Sequence, residues 1–186
     1  MTFPHQRSIQ IAADAAARAH HGQVRKNGKT PFIVHPKRVA ERVKFFGGDH
    51  IGIIAAWLHD VMEDCDEGES IVLDTLRDLE LPQPERDEIF DIVSALTKDN
   101  TIQGKSERQA ETLTRINQAP PQAILIKLCD RMDNLIDAWD RDTTFLSIYL
   151  ALTDQLIATL SEGALRHGYS QALEALAEVR KTYSGY

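Results

Sequence analysis

The segment 57-WLHDVMEDCD-66 places a histidine and several carboxylates directly after an apolar run. On a continuous helix, residues four apart lie on one face, so His59 aligns with Glu63 and Asp60 with Asp64. Carboxylates crowded beside an apolar face are unfavourable unless a positive charge neutralises them. A divalent cation supplies that charge, and a mixed set of imidazole and carboxylate ligands suits Mn²⁺, Fe²⁺ or Zn²⁺ better than Mg²⁺.

Two further residues stand at positions that a metal ligand would explain. His35 ends an apolar run just before a helix, and Asp130 follows an apolar helical turn in which an unpaired carboxylate is unfavourable. Each has an ordinary explanation when taken alone, either a hydrogen-bonded histidine or an aspartate paired with the adjacent Arg131. The ordered set of His35, His59 with Asp60, and Asp130 favours one metal site over separate structural residues.

Charge is spread unevenly along a chain whose formal net charge is −7. Residues 25–44 contain seven Lys or Arg and one acid, whereas residues 60–69 contain six acids and no base. Such runs are ordinarily solvated surfaces. The alternative is a cation site beside an anion-binding wall. The net negative charge is unlike the basic footprint of general nucleic-acid-binding proteins, so we expect no nucleic-acid partner.

The composition is typical of an ordinary globular protein. The chain has 186 residues, of which 42% are hydrophobic and 26% charged, and we expect one domain over residues 1–186. Cys65 and Cys129 lie far apart without CxxC spacing, which argues against a disulfide framework and a thiolate zinc site. The chain has no apolar N-terminal segment and no run of ~20 apolar residues, so we expect a cytoplasmic protein without a membrane partner.

The apolar spacing is helical almost throughout, and no alternating stretch is long enough to predict a strand. The sequence therefore predicts an all-α domain of several packed helices. The candidate residues fall on a helix over 37–46, on a helix that Asp49 caps and that runs to about Asp64, and on a buried helix that begins at Pro120 or Pro121. The other helices are predicted over residues 8–21, 70–79, 85–97, 106–118, 143–167 and 170–183.

The ordered His, His-Asp and Asp pattern resembles the HD superfamily of metal-dependent phosphohydrolases. The surrounding segments are similar to the hydrolase domain of RelA/SpoT-type proteins and to the stand-alone small alarmone hydrolases, including metazoan SpoT homologues. The resemblance covers about residues 5–185, and it implies a single-domain HD fold. An HD dipeptide alone is weak evidence for this family. The ordered set of residues within the GQ-x-RK and LHDV-x-ED segments is specific evidence for it. The segments that carry it are 19-AHHGQVRKNGKTPFIVHP-36, 58-LHDVMED-64, 95-ALTK-98 and 127-KLCDRMDN-134.

The resemblance implies a metal-dependent reaction on a small nucleotide. It implies that His35, His59, Asp60 and Asp130 ligate one divalent ion, most often Mn²⁺. The implied reaction removes pyrophosphate from the 3′ position of the guanosine alarmone (p)ppGpp and leaves GDP or GTP. Other residues that match the family are the water-activating pair Glu63 and Asp64 and the nucleotide-contacting residues Arg25, Lys26, Asn134, Lys98, Lys105 and Arg108.

The chain departs from the family in two places. A small insertion separates Lys26 from His35 relative to the shortest bacterial members. Asp133 stands where the family often has His or Tyr, and we expect an extra negative charge near the phosphates to alter substrate preference.

Two other functions stay open on the sequence. The first is an HD-type phosphohydrolase with another substrate, such as a nucleoside monophosphate or the 2′-phosphate of NADPH. The second is a non-catalytic alarmone sensor, which the presence of every ligand and both acids disfavours. Trp57 and Trp139 flank the candidate ligands and are predicted to be core residues. The remaining histidines are predicted to be structural or to lie on the surface; they are His5, His20, His21, His50 and His167.

Overall fold

The structure is a computed structural model that describes residues 5–138 and 143–183. Within these ranges the chain folds into helices without a β-sheet, which confirms the prediction of an all-α fold. The helices are α1 (Gln6–Ala19), α2 (Val34–Phe45), α3 (His50–Leu58), α4 (Val61–Asp64), α5 (Gly68–Asp78), α6 (Gln83–Leu96), α7 (Lys105–Gln118), α8 (Gln122–Ile136), α9 (Thr143–Arg166) and α10 (Ser170–Lys181).

Helix α8 is the central element of the fold. Its residues from Gln122 to Asp133 are all buried, and it packs against α2, α3, α6, α7, α9 and α10. A helix that is apolar around most of its circumference is stable only inside a core. The buried position of α8 therefore places the charged residues of its second half, including Asp130, in the interior.

The start of α3 is fixed by the predicted cap and by a bond to α8. Asp49 Oδ1 accepts hydrogen bonds from the backbone amides of Ile51 and Gly52 at 2.9 and 3.2 Å, and from Gln122 Nε2 at 2.6 Å. A Cβ at Gly52 would lie 1.9 Å from Gln122 Oε1, so a larger residue would displace the Gln122 side chain from its bond to Asp49. The same contacts set the direction in which α3 carries His59 toward the core.

The prediction of one helix from Asp49 to Asp64 is wrong, because α3 ends at Leu58 and α4 begins at Val61. The break has a local cause. His59 Nδ1 donates a hydrogen bond to the Ala56 carbonyl at 2.8 Å, and that oxygen is the acceptor that residue 60 would use in a continuous α-helix. The turn at residues 59 and 60 directs both side chains toward the same point.

Helix α2 begins at Val34, three residues earlier than predicted, so that His35 and Pro36 lie in its first turn. Proline is tolerated there because the first amides of a helix have no intrahelical partner. The loop before α2 is closed by a bridge between Val24 and Pro31.

The long helix α9 lines one side of the core with Leu146, Leu150, Leu156 and Leu160. Residues 144–166 are long and apolar enough to cross a membrane by length and composition, a test that the core helices of soluble proteins also pass. Of the two tryptophans predicted to be core residues, Trp57 is partly buried against the core and Trp139 lies outside the described residues.

Candidate metal centre

Three separate parts of the chain bring the four candidate ligands to one point. His35 comes from α2, His59 and Asp60 from the junction of α3 and α4, and Asp130 from α8. His35, His59 and Asp130 offer ligand atoms that all lie within 4.8 Å of one another. His35 Nε2 is 3.3 Å from both Asp60 Oδ2 and Asp130 Oδ1, and His59 Nε2 is 3.2 Å from Asp60 Oδ1.

The hydrogen bonds of the two imidazoles leave their Nε2 atoms facing this point. His59 Nδ1 bonds a carbonyl oxygen, so it carries the proton of the neutral ring and Nε2 keeps a lone pair. Among the described residues, His59 Nε2 is buried and has no hydrogen-bond partner. A lone pair held beside the Asp60 carboxylate is unfavourable unless a positive ion lies between them. The donor set therefore fits a divalent cation.

Electrostatics at the same point favour a positive charge. Burial alone lowers the pKa of His35, but its hydrogen bonds to Asp130, Asp133 and Asp60 outweigh this and raise the pKa to about 11. Burial raises the pKa values of Asp60 and Asp130. The His59 and His35 imidazoles beside Asp60, and Lys127 with His35 beside Asp130, outweigh burial and bring both pKa values below the ordinary value. A proton on His35 thus takes the place of the cation when the cation is absent.

Asp133 lies behind His35, on the side away from the cavity described below. Its side chain is fully buried; Oδ2 accepts from His35 Nδ1 and Oδ1 from Arg42 Nη1, both at 2.7 Å. A carboxylate on the outer nitrogen of a metal-binding histidine fixes the ring and its tautomer. The expectation that Asp133 adds charge near the phosphates is therefore wrong, because Arg42 neutralises it behind the ligand.

Glu63 and Asp64 lie beside the proposed ligands, on the short helix α4. Glu63 accepts hydrogen bonds from Lys98, through both its ammonium group and its backbone amide. Burial and the neighbouring charges of Asp60 and Glu63 raise the pKa of Asp64 to about 6. A carboxylate whose pKa lies close to neutral pH is suited to accepting a proton from water.

A cavity of about 430 Å³ opens in front of these residues. All twelve site residues predicted from the sequence line it, and the basic ones are spread over its walls. A volume of this size suits a nucleotide-sized ligand. The lining residues that the sequence reasoning did not identify are Phe32, Leu96, Asn100, Gln109, Thr112, Leu113, Lys127, Arg131, Phe145, Tyr149 and Leu152.

Arg25 is linked to the ligand cluster through Asn134. Arg25 Nη2 donates to Asn134 Oδ1 at 2.9 Å, and the Asn134 amide donates to Asp130 Oδ1. Arg25 Nε also pairs with Asp137 at 2.9 Å. The guanidinium is thus held rigidly at the edge of the cavity, and a bidentate donor of this kind suits a phosphate.

The ordinary explanation for Asp130, pairing with Arg131, is wrong. The partner is Lys127, whose Nζ lies 2.9 Å from Asp130 Oδ2 one helical turn earlier. Arg131 donates to Gln109 Oε1 at 2.7 Å and lies over the Tyr149 ring, 4.4 Å from its centroid. The i and i+3 spacing of Lys127 and Asp130 is the sequence signal that identifies this pair.

Comparison with known proteins agrees with this geometry. A family model for the HD domain matches residues 12–156. The guanosine-3′,5′-bis(diphosphate) 3′-pyrophosphohydrolase of Aquifex aeolicus is 38% identical over 138 residues, which cover 73% of this chain and 18% of that protein. The human protein of the same name, MESH1, is 36% identical over 129 residues, covering 68% of this chain and 66% of that protein.

Other similar proteins differ in name and in length. A GTP pyrophosphokinase of Streptomyces coelicolor is 33% identical over 69% of this chain and 14% of that protein. The chain thus spans less than a fifth of the length of the first curated relatives it matches. A solved structure described as a metazoan orthologue of SpoT that hydrolyses ppGpp has a TM-score of 0.79 at 23% identity, covering 99% of each chain, and shows the shared fold. The chain belongs to the HD-domain family.

Proposed function

We propose that this chain is a divalent-metal-dependent hydrolase that removes pyrophosphate from the 3′ position of guanosine 3′,5′-bis(diphosphate) or its 5′-triphosphate analogue. The observation that carries the proposal is the convergence of two imidazole Nε2 atoms and two aspartates at the edge of a nucleotide-sized cavity with basic walls. The names of the relatives from Aquifex aeolicus and human support the choice of substrate.

The proposed ligands are His35, His59, Asp60 and Asp130, and Mn²⁺ is the proposed ion because it accepts both nitrogen and oxygen ligands. Bound there, it would supply a Lewis acid that lowers the pKa of water and withdraws charge from a phosphoryl oxygen, a contribution of several kcal/mol. The hydrogen bond that His35 Nδ1 donates to Asp133 holds His35 in the tautomer that such an ion requires.

Glu63 and Asp64 orient the attacking water and accept its proton. Lys98 pairs with the Glu63 carboxylate, and this ion pair holds the acid in one orientation. Asp64, whose pKa is raised to about 6, accepts a proton at neutral pH more readily than an ordinary aspartate. Proton acceptance of this kind contributes about 10²–10⁴-fold to the rate.

Basic side chains around the cavity offset the charge of a substrate that carries two diphosphates. Arg25 is held in place by Asn134 and Asp137 and faces the cavity beside the ligands. Lys26, Lys105 and Arg108 line the remaining wall. Preorganised positive groups of this kind attract an anionic ligand to an acidic protein and stabilise charge that develops on the leaving pyrophosphate.

The test is a nucleotide panel in which pyrophosphate and orthophosphate release are measured separately, with Mn²⁺-loaded and metal-free protein. We expect pyrophosphate from the guanosine alarmone only with metal. Orthophosphate from a nucleoside monophosphate or NADPH, with no pyrophosphate from the alarmone, would assign a different phosphohydrolase. Tight alarmone binding by the Mn²⁺-loaded protein without turnover would instead identify a sensor.

A further inference from the structure

A second cluster of metal-ligand side chains lies where the N-terminal ends of α1, α3 and α6 meet. His5, His50 and Glu85 offer ligand atoms within 4.8 Å of one another. None of the three lines the 430 Å³ cavity. His50 opens the nine-residue helix α3, and His59 follows the other end of that helix. At a rise of ~1.5 Å per residue the two clusters are on the order of 13 Å apart along this helix.

The three side chains already contact one another. The His5 and His50 rings are nearly parallel, with centroids 3.7 Å apart and an interplanar angle of 11°. His50 Nε2 lies 2.8 Å from Glu85 Oε2. All three residues are partly buried, so the cluster is open to solvent on one side.

The backbone at His5 supports the same arrangement. His5 has a φ of 72°, in the left-handed region that favours glycine, and its carbonyl accepts the hydrogen bond from the Ile9 amide that opens α1. A non-glycine residue in this region is less stable and persists where surrounding contacts hold it. Here the conformation places the His5 ring directly over His50.

Fixed charges around the cluster are mainly negative. Burial together with the charges of Asp49 and Glu85 raises the pKa of Glu88, which indicates a local excess of carboxylates. The N-terminal end of each of the three helices carries a partial charge of about +0.5, which disfavours a bound cation. Asp49 already caps α3, and Glu85 is the carboxylate that belongs to the cluster itself.

We propose that His5, His50 and Glu85 form a second site for a divalent transition-metal ion, with Zn²⁺ as the best match. Two imidazoles and one carboxylate are a known ligand set for Zn²⁺, and water fills the fourth position of its tetrahedron. Bound there, the ion joins the start of α1 to α3 and α6. It stabilises the helix that carries His59 without contacting the catalytic cavity.

The test is a titration of the metal-free full chain with Zn²⁺. Calorimetry measures the number of bound equivalents, and NMR detects changes at the histidine side chains. We expect two bound equivalents in the unsubstituted protein and one in His50→Ala and in Glu85→Gln. Removal of a direct ligand weakens binding by more than the about 10–100-fold of an outer-sphere change. His167→Ala, which removes an exposed histidine beyond α9, is the matched control and keeps two equivalents.

The outcomes separate the site from a simple hydrogen-bonded cluster. In the unsubstituted protein, the His5 and His50 ring signals shift together with the second equivalent of Zn²⁺. Far-UV circular dichroism checks that each variant stays folded, and His5→Gln replaces His50→Ala if the latter loses helicity. A single equivalent that is retained in His50→Ala and in Glu85→Gln overturns the proposal, as does a second equivalent that persists in every folded variant of the cluster.

Discussion

Replacement of Asp133 by asparagine isolates the contribution of one buried carboxylate to metal binding. Asparagine keeps the shape of the side chain, but only one of its two terminal atoms accepts a hydrogen bond. Asp133 now accepts from His35 Nδ1 and from Arg42 Nη1, both at 2.7 Å. In Asp133→Asn one of these two donors faces an amide NH₂ group and loses its acceptor.

The expected loss of metal affinity follows from this geometry. Outer partners of metal-binding histidines contribute about 10–100-fold to affinity, which corresponds to about 1.4–2.7 kcal/mol. The metal-free protein also loses a charge-assisted hydrogen bond in a buried site, an effect of about 1.5–3 kcal/mol on the free energy of unfolding. Because the site lies in the core, solvent screening reduces neither effect much.

The assay is competition for Mn²⁺ between the protein and a chelator of known affinity, with guanidinium unfolding of the metal-free protein run in parallel. The matched control is Asp137→Asn, one turn further along the chain, which pairs with Arg25 and Arg38 and contacts none of the proposed ligands. We expect the control to keep its metal affinity. If Asp133→Asn binds Mn²⁺ as tightly as the control, its role in orienting His35 is refuted.

Three further predictions concern individual residues. Asp60→Ala loses one equivalent of bound Mn²⁺ and its pyrophosphate release, as metal analysis and turnover measure; an unchanged Mn²⁺ content would contradict its role as a ligand. Glu63→Gln keeps the metal and lowers turnover by about 10²–10⁴-fold, and normal turnover would exclude proton acceptance by Glu63. Burial lowers the pKa of His20 in the folded protein. As pH falls below 6.5, the unfolded chain therefore takes up a proton at this residue at a higher pH than the folded chain does, and the free energy of unfolding decreases. This slope, at most about 1.4 kcal/mol per pH unit in the metal-free protein, decreases in His20→Asn and is unchanged in the exposed neighbour control His21→Asn.

Helical periodicity and the order of residue types were enough to predict the fold class and to select every candidate ligand. Apolar residues recur in the sequence with a period of about 3.6 residues because each helix buries one face. Asp130 could be selected as a candidate for a similar reason, because it follows a run that is too apolar to lie on a surface. The resemblance to RelA/SpoT-type hydrolases added the roles of Arg25 and Glu63.

Features that depend on side chains meeting across the fold could not be predicted. The break before α4 arises from a bond between His59 and the Ala56 carbonyl, and no local propensity signals it. From the sequence, Asp133 was expected to add charge near the phosphates, whereas in the fold α2 places His35 and Arg42 against it. The cluster of His5 and His50 joins residues 45 positions apart, so spacing along one helix gives no indication of it.

Diffraction from crystals grown with Mn²⁺, with data collected at the manganese absorption edge, tests the central claim most directly. We predict an anomalous peak in contact with His35 Nε2, His59 Nε2 and the carboxylates of Asp60 and Asp130. Ligand distances typical of first-row ions at such sites are about 2.0–2.2 Å. A crystal that binds manganese elsewhere, with these four side chains joined only to each other, would contradict the account.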